Sequence, residues 1–235
     1  MQLWDKLHMR LRFARYRRRK EADEIRFLRS LPLAGKTLID IGANKGVYCY
    51  WLSRAAGPEG RVYAFEPQPE LVHHLHALAG AFGLDNLRLE NCALSDRDGR
   101  AGLYRQQAGA GDAALDPAGG PERLEVPVTT LDAWAARERL AGVAFIKCDV
   151  EGHELAVLRG ARGVLGKYAP VLQVEIHHRD AHTGAVFDLL EGLGYEGFFW
   201  YAGKRLPARE FSCWPDRKPG LDHRNYLFLP PSAGF

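Results

Sequence analysis

The chain has no apolar run approaching the roughly 20 residues of a membrane-spanning helix. Its first residues also lack an apolar stretch ending in a small-residue cleavage site. Both absences point to a cytoplasmic protein. Cysteine is scarce: Cys49, Cys92, Cys148 and Cys213 show no C-x-x-C spacing, and three of them lie within apolar runs, so buried free thiols are expected. No internal repeat occurs. A length of 235 residues with 46% hydrophobic content suffices for one α/β domain with a full core, but not comfortably for two. The dinucleotide fingerprint G-x-G-x-x-G is missing too, which argues against a nicotinamide oxidoreductase.

Charge is distributed unevenly. Residues 1–20 carry Lys6, Arg10, Arg12, Arg15, Arg17, Arg18, Arg19 and Lys20 against Asp5 alone, a charge of +7 that leaves the rest of the chain at −4 within a total of +3. The basic charge is therefore an appendage, and residues 1–30 read as a basic helical extension preceding a domain over 31–235. Leu3, Trp4, Leu7, Leu11 and Ala14 recur at helical spacing, which fits either an interfacial helix or a helix packed on the domain with its Arg face solvated. Such a segment suits an anionic membrane surface, an anionic substrate or nucleic acid.

Short apolar strands then alternate with amphipathic helices, the pattern of a parallel sheet covered on both faces. Strands are expected at 37–41, 61–66, 87–91, 143–149, 171–176, 198–201 and 225–229, seven in one mixed sheet. Helices are expected at 46–56, 69–82, 131–140, 155–165 and 183–193. A β-hairpin over 100–105 and 124–129 is inserted, with a mobile Gly- and Ala-rich loop at 106–122.

The candidate chemistry sits at strand ends. The first strand runs into Asp40-Ile41-Gly42-Ala43-Asn44-Lys45-Gly46 and a helix begins at once; Gly-x-x-x-Gly after an acidic residue lets backbone pass close to a ligand and suits the methionine part of S-adenosylmethionine. The second ends in Glu66-Pro67, where a carboxylate can accept both ribose hydroxyls. After the third, Ala93 can lie against an adenine ring while Asn91 bonds its edge. Asp40, Gly42, Asn44, Gly46, Glu66, Pro67, Asn91 and Ala93 are accordingly the expected cofactor-binding set. The fourth and fifth strands end in Asp149-Val150-Glu151-Gly152-His153-Glu154 and Glu175-Ile176-His177-His178. Asp149, Glu175 and His177 are the candidate catalytic groups, and a divalent metal such as Mg or Mn on Asp149 and Glu175 is left open. Glu151 and Glu154 divide evenly between function and stabilisation of a helix N-terminus. His178 and His182 have the spacing of a helical metal pair, but Asp180 and Thr183 place the helix start after them, so zinc is not expected.

These stretches, together with Asn91-Cys92-Ala93-Leu94-Ser95 and Val157-Leu158-Arg159-Gly160-Ala161, give a chain that resembles the FkbM-type methyltransferases, a branch of the class I S-adenosylmethionine-dependent enzymes, from about Thr37 to Tyr195. The resemblance implies a Rossmann-like sheet of seven strands with the last antiparallel. It also implies S-adenosylmethionine held by Gly42, Gly46 and Glu66, and O-methylation of a sugar, glycolipid or natural-product hydroxyl. A small-molecule or glycan acceptor is the expected partner, the protein standing in the cytoplasm or peripherally at the membrane; oligomeric state is left open. Two alternatives stay on the table: an RNA or other nucleic-acid methyltransferase using the basic arm, and a non-catalytic binding module. Against the first, the fourth strand ends in Asp-Val-Glu-Gly and not in an Asn/Asp-Pro-Pro-aromatic turn, so nucleic acid is not the expected partner.

Overall fold

Residues 3–213 and 223–231 are described in a computed structural model. The chain opens with α1 (Leu3–Arg15), a π-helical turn (Tyr16–Lys20) and α2 (Ala22–Ser30). A β-α-β-α-β unit follows: β1 (Thr37–Ile41), α3 (Val47–Ala56), β2 (Arg61–Phe65), α4 (Pro69–Phe82) and β3 (Leu87–Glu90). β4 (Ala93–Leu94), β5 (Gly99–Arg105) and β6 (Glu122–Thr129) then form a small separate sheet. Next come α5 (Leu131–Arg137), β7 (Phe145–Cys148), α6 (Glu154–Arg159), α7 (Arg162–Tyr168) and β8 (Val171–His177). The described elements end with α8 (His178–Thr183), α9 (Ala185–Gly192), β9 (Glu196–Tyr201), β10 (Lys204–Pro207) and β11 (His223–Leu229).

The large sheet has the order β10-β9-β11-β8-β7-β1-β2-β3. β3, β2, β1, β7 and β8 are mutually parallel, whereas β11 runs antiparallel to both β8 and β9. Alternation along the strands supplies both faces. Ile39, Ile41, Tyr63, Phe65 and Ile146 pack toward Trp134, Leu158 and Leu165, while Leu38, Val62, Ala64 and Phe145 pack toward Ile25, Leu28, Leu52 and Leu78. Because the chain leaves β1 for β2 on one side and reaches β7 on the other, the loops after β1 and β7 diverge and open a crevice at the carboxyl edge.

The eighth strand departs from the expected seven. β10 folds back on β9 through Ala202 and Gly203, both at positive φ (48° and 75°), as a tight hairpin requires; Lys204-Arg205-Leu206-Pro207 has no apolar run to announce it. The helix expected at 155–165 is two helices. Gly160 breaks it: its carbonyl accepts from Asp132 N at 2.9 Å, and Asp132 accepts from Gly163 N and Val164 N, both at 2.8 Å, starting α7 afresh. His178 and His182 also lie within a helix, α8, before Gly184 (φ 71°) ends it, which corrects the later start read from Asp180 and Thr183.

The apolar stripe of α1 is resolved unexpectedly. Met9 and Phe13 are the side chains buried on the domain, Phe13 stacked on Tyr50 at 4.1 Å, whereas Trp4, Leu7 and Leu11 are exposed. Among the described residues no helix is long and apolar enough to cross a membrane.

Candidate active site

The turn after β1 is built on positive φ. Gly42 (φ 82°) is forced to be glycine, since a Cβ there would stand 1.8 Å from the Asp149 carbonyl oxygen. Asn44 takes φ 47°, and Gly46, at φ 77°, precedes α3. Gly42 N and Ala43 N both donate to Phe65 O at 3.0 Å, tying this turn to the end of β2. There Glu66, 4% exposed, accepts from Asn44 N at 2.8 Å and from Gln68 N at 2.9 Å. Burial outweighs these bonds and raises its carboxyl to about 7. Asp40 lies beneath the turn and accepts from the Cys49 thiol at 3.1 Å; burial lifts it to about 6.

Gly42, Glu66, Pro67 and Ala93 line a cleft of about 560 Å³, its open mouth included. The loop of residues 106–122 closes over it: Gly109 N donates to Gln68 Oε1 at 3.0 Å, Gln68 Nε2 to Ala110 O at 2.9 Å, and Asn44 Nδ2 to Gly111 O at 3.1 Å. Arg105 anchors the loop base, bonded to Gln68 (3.2 Å), Glu70 (3.0 Å) and Glu122 (2.9 Å). Asn91 lies away from the cleft wall; its amide donates to Glu66 O at 2.9 Å and Pro67 O at 3.1 Å, so it shapes the turn that presents the carboxylate. A buried carboxylate with a spare lone pair on each oxygen, beside exposed turn backbone, can accept vicinal hydroxyls and hold an adenosine-bearing group.

A wider basin of about 2020 Å³, mouth included, adjoins the cleft. Gly42, Asn44, Asp149 and Glu151 line both cavities. On the basin floor Lys147 Nζ stands 3.2 Å from Asp149 and 4.0 Å from Glu175. Burial pulls this ammonium's pKa down, but the neighbouring carboxylates prevail and hold it above its ordinary value. Burial and the charge of Asp149 push Glu175 well above the usual carboxylate range. His223 Nε2 is 3.2 Å from Glu175 Oε1. His177 instead stands 3.4 Å from Glu151, its ring 5.8 Å from that of His223. The arm closes the basin's side with Arg12, Tyr16, Arg19 and Lys20, and Glu21 accepts from the Tyr48 hydroxyl, itself a partner of Gln173.

Sequence reasoning missed Lys147, His223 and the Glu21–Tyr48 pair. Lys147 carried a signal, being a charged residue inside an apolar strand, where lysine is almost never fully buried unless paired. His223 carried none. Glu154 falls on the structural side of its even reading: at 2% exposure it accepts from Val150 N and Gly152 N, both at 3.1 Å, bracing the positive-φ turn at Glu151 and Gly152. Asp149 and Glu175 do not fit a divalent ion, because the Lys147 ammonium stands where the ion would. Among the described residues no group of three or more His, Cys, Asp or Glu side chains could hold a metal. Trp200, Tyr201, Phe211 and Trp214 make the C-terminal region rich in aromatics, which suits a sugar-stacking wall, a dimer surface or core packing, but Phe211 and Trp214 lie outside the residues whose side chains are described.

The central strand order, the glycine turn and the strand-end carboxylate define a Rossmann-like, S-adenosylmethionine-dependent methyltransferase of class I. More narrowly, the chain belongs to the FkbM methyltransferase family, whose model, the methyltransferase FkbM domain, matches residues 40–196. It is 27% identical over 174 residues to the 2-O-methyltransferase NoeI of Sinorhizobium fredii, covering 65% of this chain and 70% of that protein. It is likewise 27% identical over 193 residues to the 31-O-demethyl-FK506 methyltransferase FkbM of Streptomyces tacrolimicus, with 68% and 73% covered. Among solved structures, the methyltransferase FkbM of Methylobacillus flagellatus KT shares the fold, with a TM-score of 0.55 at 16% identity over 85% of this chain. The match spans 45% of that structure's length.

Proposed function

We propose that this methyltransferase methylates a hydroxyl of a sugar or natural-product scaffold, using the cleft for its cofactor and the basin for its acceptor. The observation that carries the reading is the position of Asp149, on the wall common to both cavities and ion-paired to a buried lysine. Both relatives are named for methylation at oxygen.

The residues present fit S-adenosylmethionine. Gly42, Asn44 and Gly46 offer backbone at the turn, with Asp40 behind them. Glu66 and Pro67 suit the ribose and Ala93 the adenine, while Asn91 positions the Glu66 turn. Bound there, the cofactor supplies an electrophilic methyl group. Asp149 then accepts the hydrogen bond of the acceptor hydroxyl and takes its proton as the oxygen is methylated, with the Lys147 ammonium facing that carboxylate. Glu175, paired with His223, lines the basin on the other side of Lys147, and His177 and Glu151 stand one step further out. Alignment of the hydroxyl at the shared wall supplies most of the rate, as expected where two reactants must only be held in line. Residues 1–30 serve as an extension that walls the basin of a domain over 31–235, so acceptor choice draws on side chains outside the segment that the family model matches.

Calorimetric titration with S-adenosylhomocysteine tests the assignment. Wild type and Asp149→Asn should bind alike, Glu66→Ala should bind at least about tenfold more weakly, a loss of about 1.4 kcal/mol, and Asp149→Asn should lose turnover on any hydroxyl acceptor found by screening. Loss of binding in Asp149→Asn would instead move that residue into the cofactor site.

A further inference from the structure

Three large apolar side chains stand exposed among the described residues, and all belong to α1: Trp4 at 78%, Leu7 at 47% and Leu11 at 63%. At 3.6 residues per turn they fall within an arc of roughly 60°. Met9 and Phe13, buried against the domain, lie on the opposite side. The helix therefore has two apolar faces, and packing uses only the inner one. Arg15 at the end of α1 and Arg18 in the π-helical turn that follows are both exposed and place positive charge beyond the C-terminal end of the ridge, within a segment whose charge is +7.

We propose that α1 docks the protein on an anionic bilayer, laying Trp4, Leu7 and Leu11 into the interfacial layer while the surrounding Lys and Arg side chains meet acidic headgroups. A ridge of three side chains is too small to anchor a protein alone, so attachment draws on the basic groups and is reversible. Charge complementarity selects this occupant over a second copy of the chain, which would set +7 against +7. Arg12, Tyr16, Arg19 and Lys20 of the same arm line the basin, so docking brings the acceptor site to the lipid surface. That consequence, suited to a glycan head on a lipid tail, rests on the proposed function, whereas docking itself does not.

Flotation of the full chain with vesicles of phosphatidylcholine, with and without phosphatidylglycerol, tests the proposal. Binding should require the anionic lipid and weaken as salt rises. A Trp4→Ser/Leu7→Ser/Leu11→Ser variant and an Arg15→Glu/Arg18→Glu variant should each reduce it at least about tenfold, with melting temperature and S-adenosylhomocysteine binding unchanged. Absence of binding to anionic vesicles, or binding indifferent to the triple substitution, overturns the proposal. So does a wild-type dimer in sedimentation velocity that the triple variant dissolves, since the ridge would then be covered by a second copy. Because S-adenosylhomocysteine binding is read separately, failure here leaves the methyl-transfer reading standing.

Discussion

Two backbone N–H groups already bond Glu66 in the free protein, yet its carboxyl is raised to about 7 because burial removes more hydration than those bonds restore. A ribose hydroxyl donates to the ionised form, so cofactor affinity should improve as pH climbs from about 6 to 8 and level off above. S-adenosylhomocysteine titrations across this range should show that rise in wild type. In Glu66→Gln, whose amide does not titrate, the curve should be flat; an equal slope in both would assign the dependence to another group, Asp40 being the nearest buried carboxyl. Lys147 illustrates a different balance. Its ammonium is buried at 1% exposure, a costly position made tenable by two carboxylates facing it.

At the level of elements, close backbone approach does much of the positioning. Gly160 ends α6 where the chain passes Ser95, and a Cβ there would lie 2.0 Å from the Ser95 carbonyl oxygen. That contact is with backbone and cannot be relieved by a rotamer change. Gly160→Ala should therefore destabilise the fold by about 3 kcal/mol, the upper end of overpacking costs, readable as a lowered midpoint in urea; an unchanged midpoint would mean that β4 and α6 can separate freely. This contact gives a physical reason for the glycine in Leu158-Arg159-Gly160-Ala161. The hairpin of β5 and β6 joins β4 in a sheet of its own, which carries the loop of residues 106–122 out over the cleft, where Gln68 and Asn44 hold it.

For the whole molecule, the carboxyl edge concentrates buried acids, and stability should register them. The folded state holds Glu66 at about 7 against 4.5 in the unfolded chain, and Glu175 is raised as well. Between those values the native protein retains protons that the unfolded chain has released, so stability is present at lower pH and lost as pH rises through the folded pKa. His74 and His153 are shifted down by burial and act in the opposite sense, but that contribution fades above about 6.5, the unfolded value. Urea unfolding of the free protein should accordingly give a lower midpoint at pH 8 than at pH 6.5, a difference reduced in Glu66→Gln. A midpoint that rises over this interval would show that the acids are hydrated in solution.

Patterns confined to short stretches were legible in the chain alone. The apolar strands, the helix opened by Pro69, the inserted hairpin and the turn from Asp40 to Gly46 all depend on neighbours within a few residues, and periodicity or a glycine reports such dependence directly. So do the two carboxylates at consecutive strand ends. Only the tertiary structure decided which face of α1 is packed, because Trp4, Leu7 and Leu11 satisfy helical spacing as well outside as inside. Only it brought His223, 48 residues beyond Glu175 in sequence, to 3.2 Å from that carboxylate, and set Lys147 between two acids. These juxtapositions come from the antiparallel pairing of β11 with β8 and from burial, both long-range consequences of how the sheet closes. No local sequence pattern encodes a register between strands so far apart in the chain.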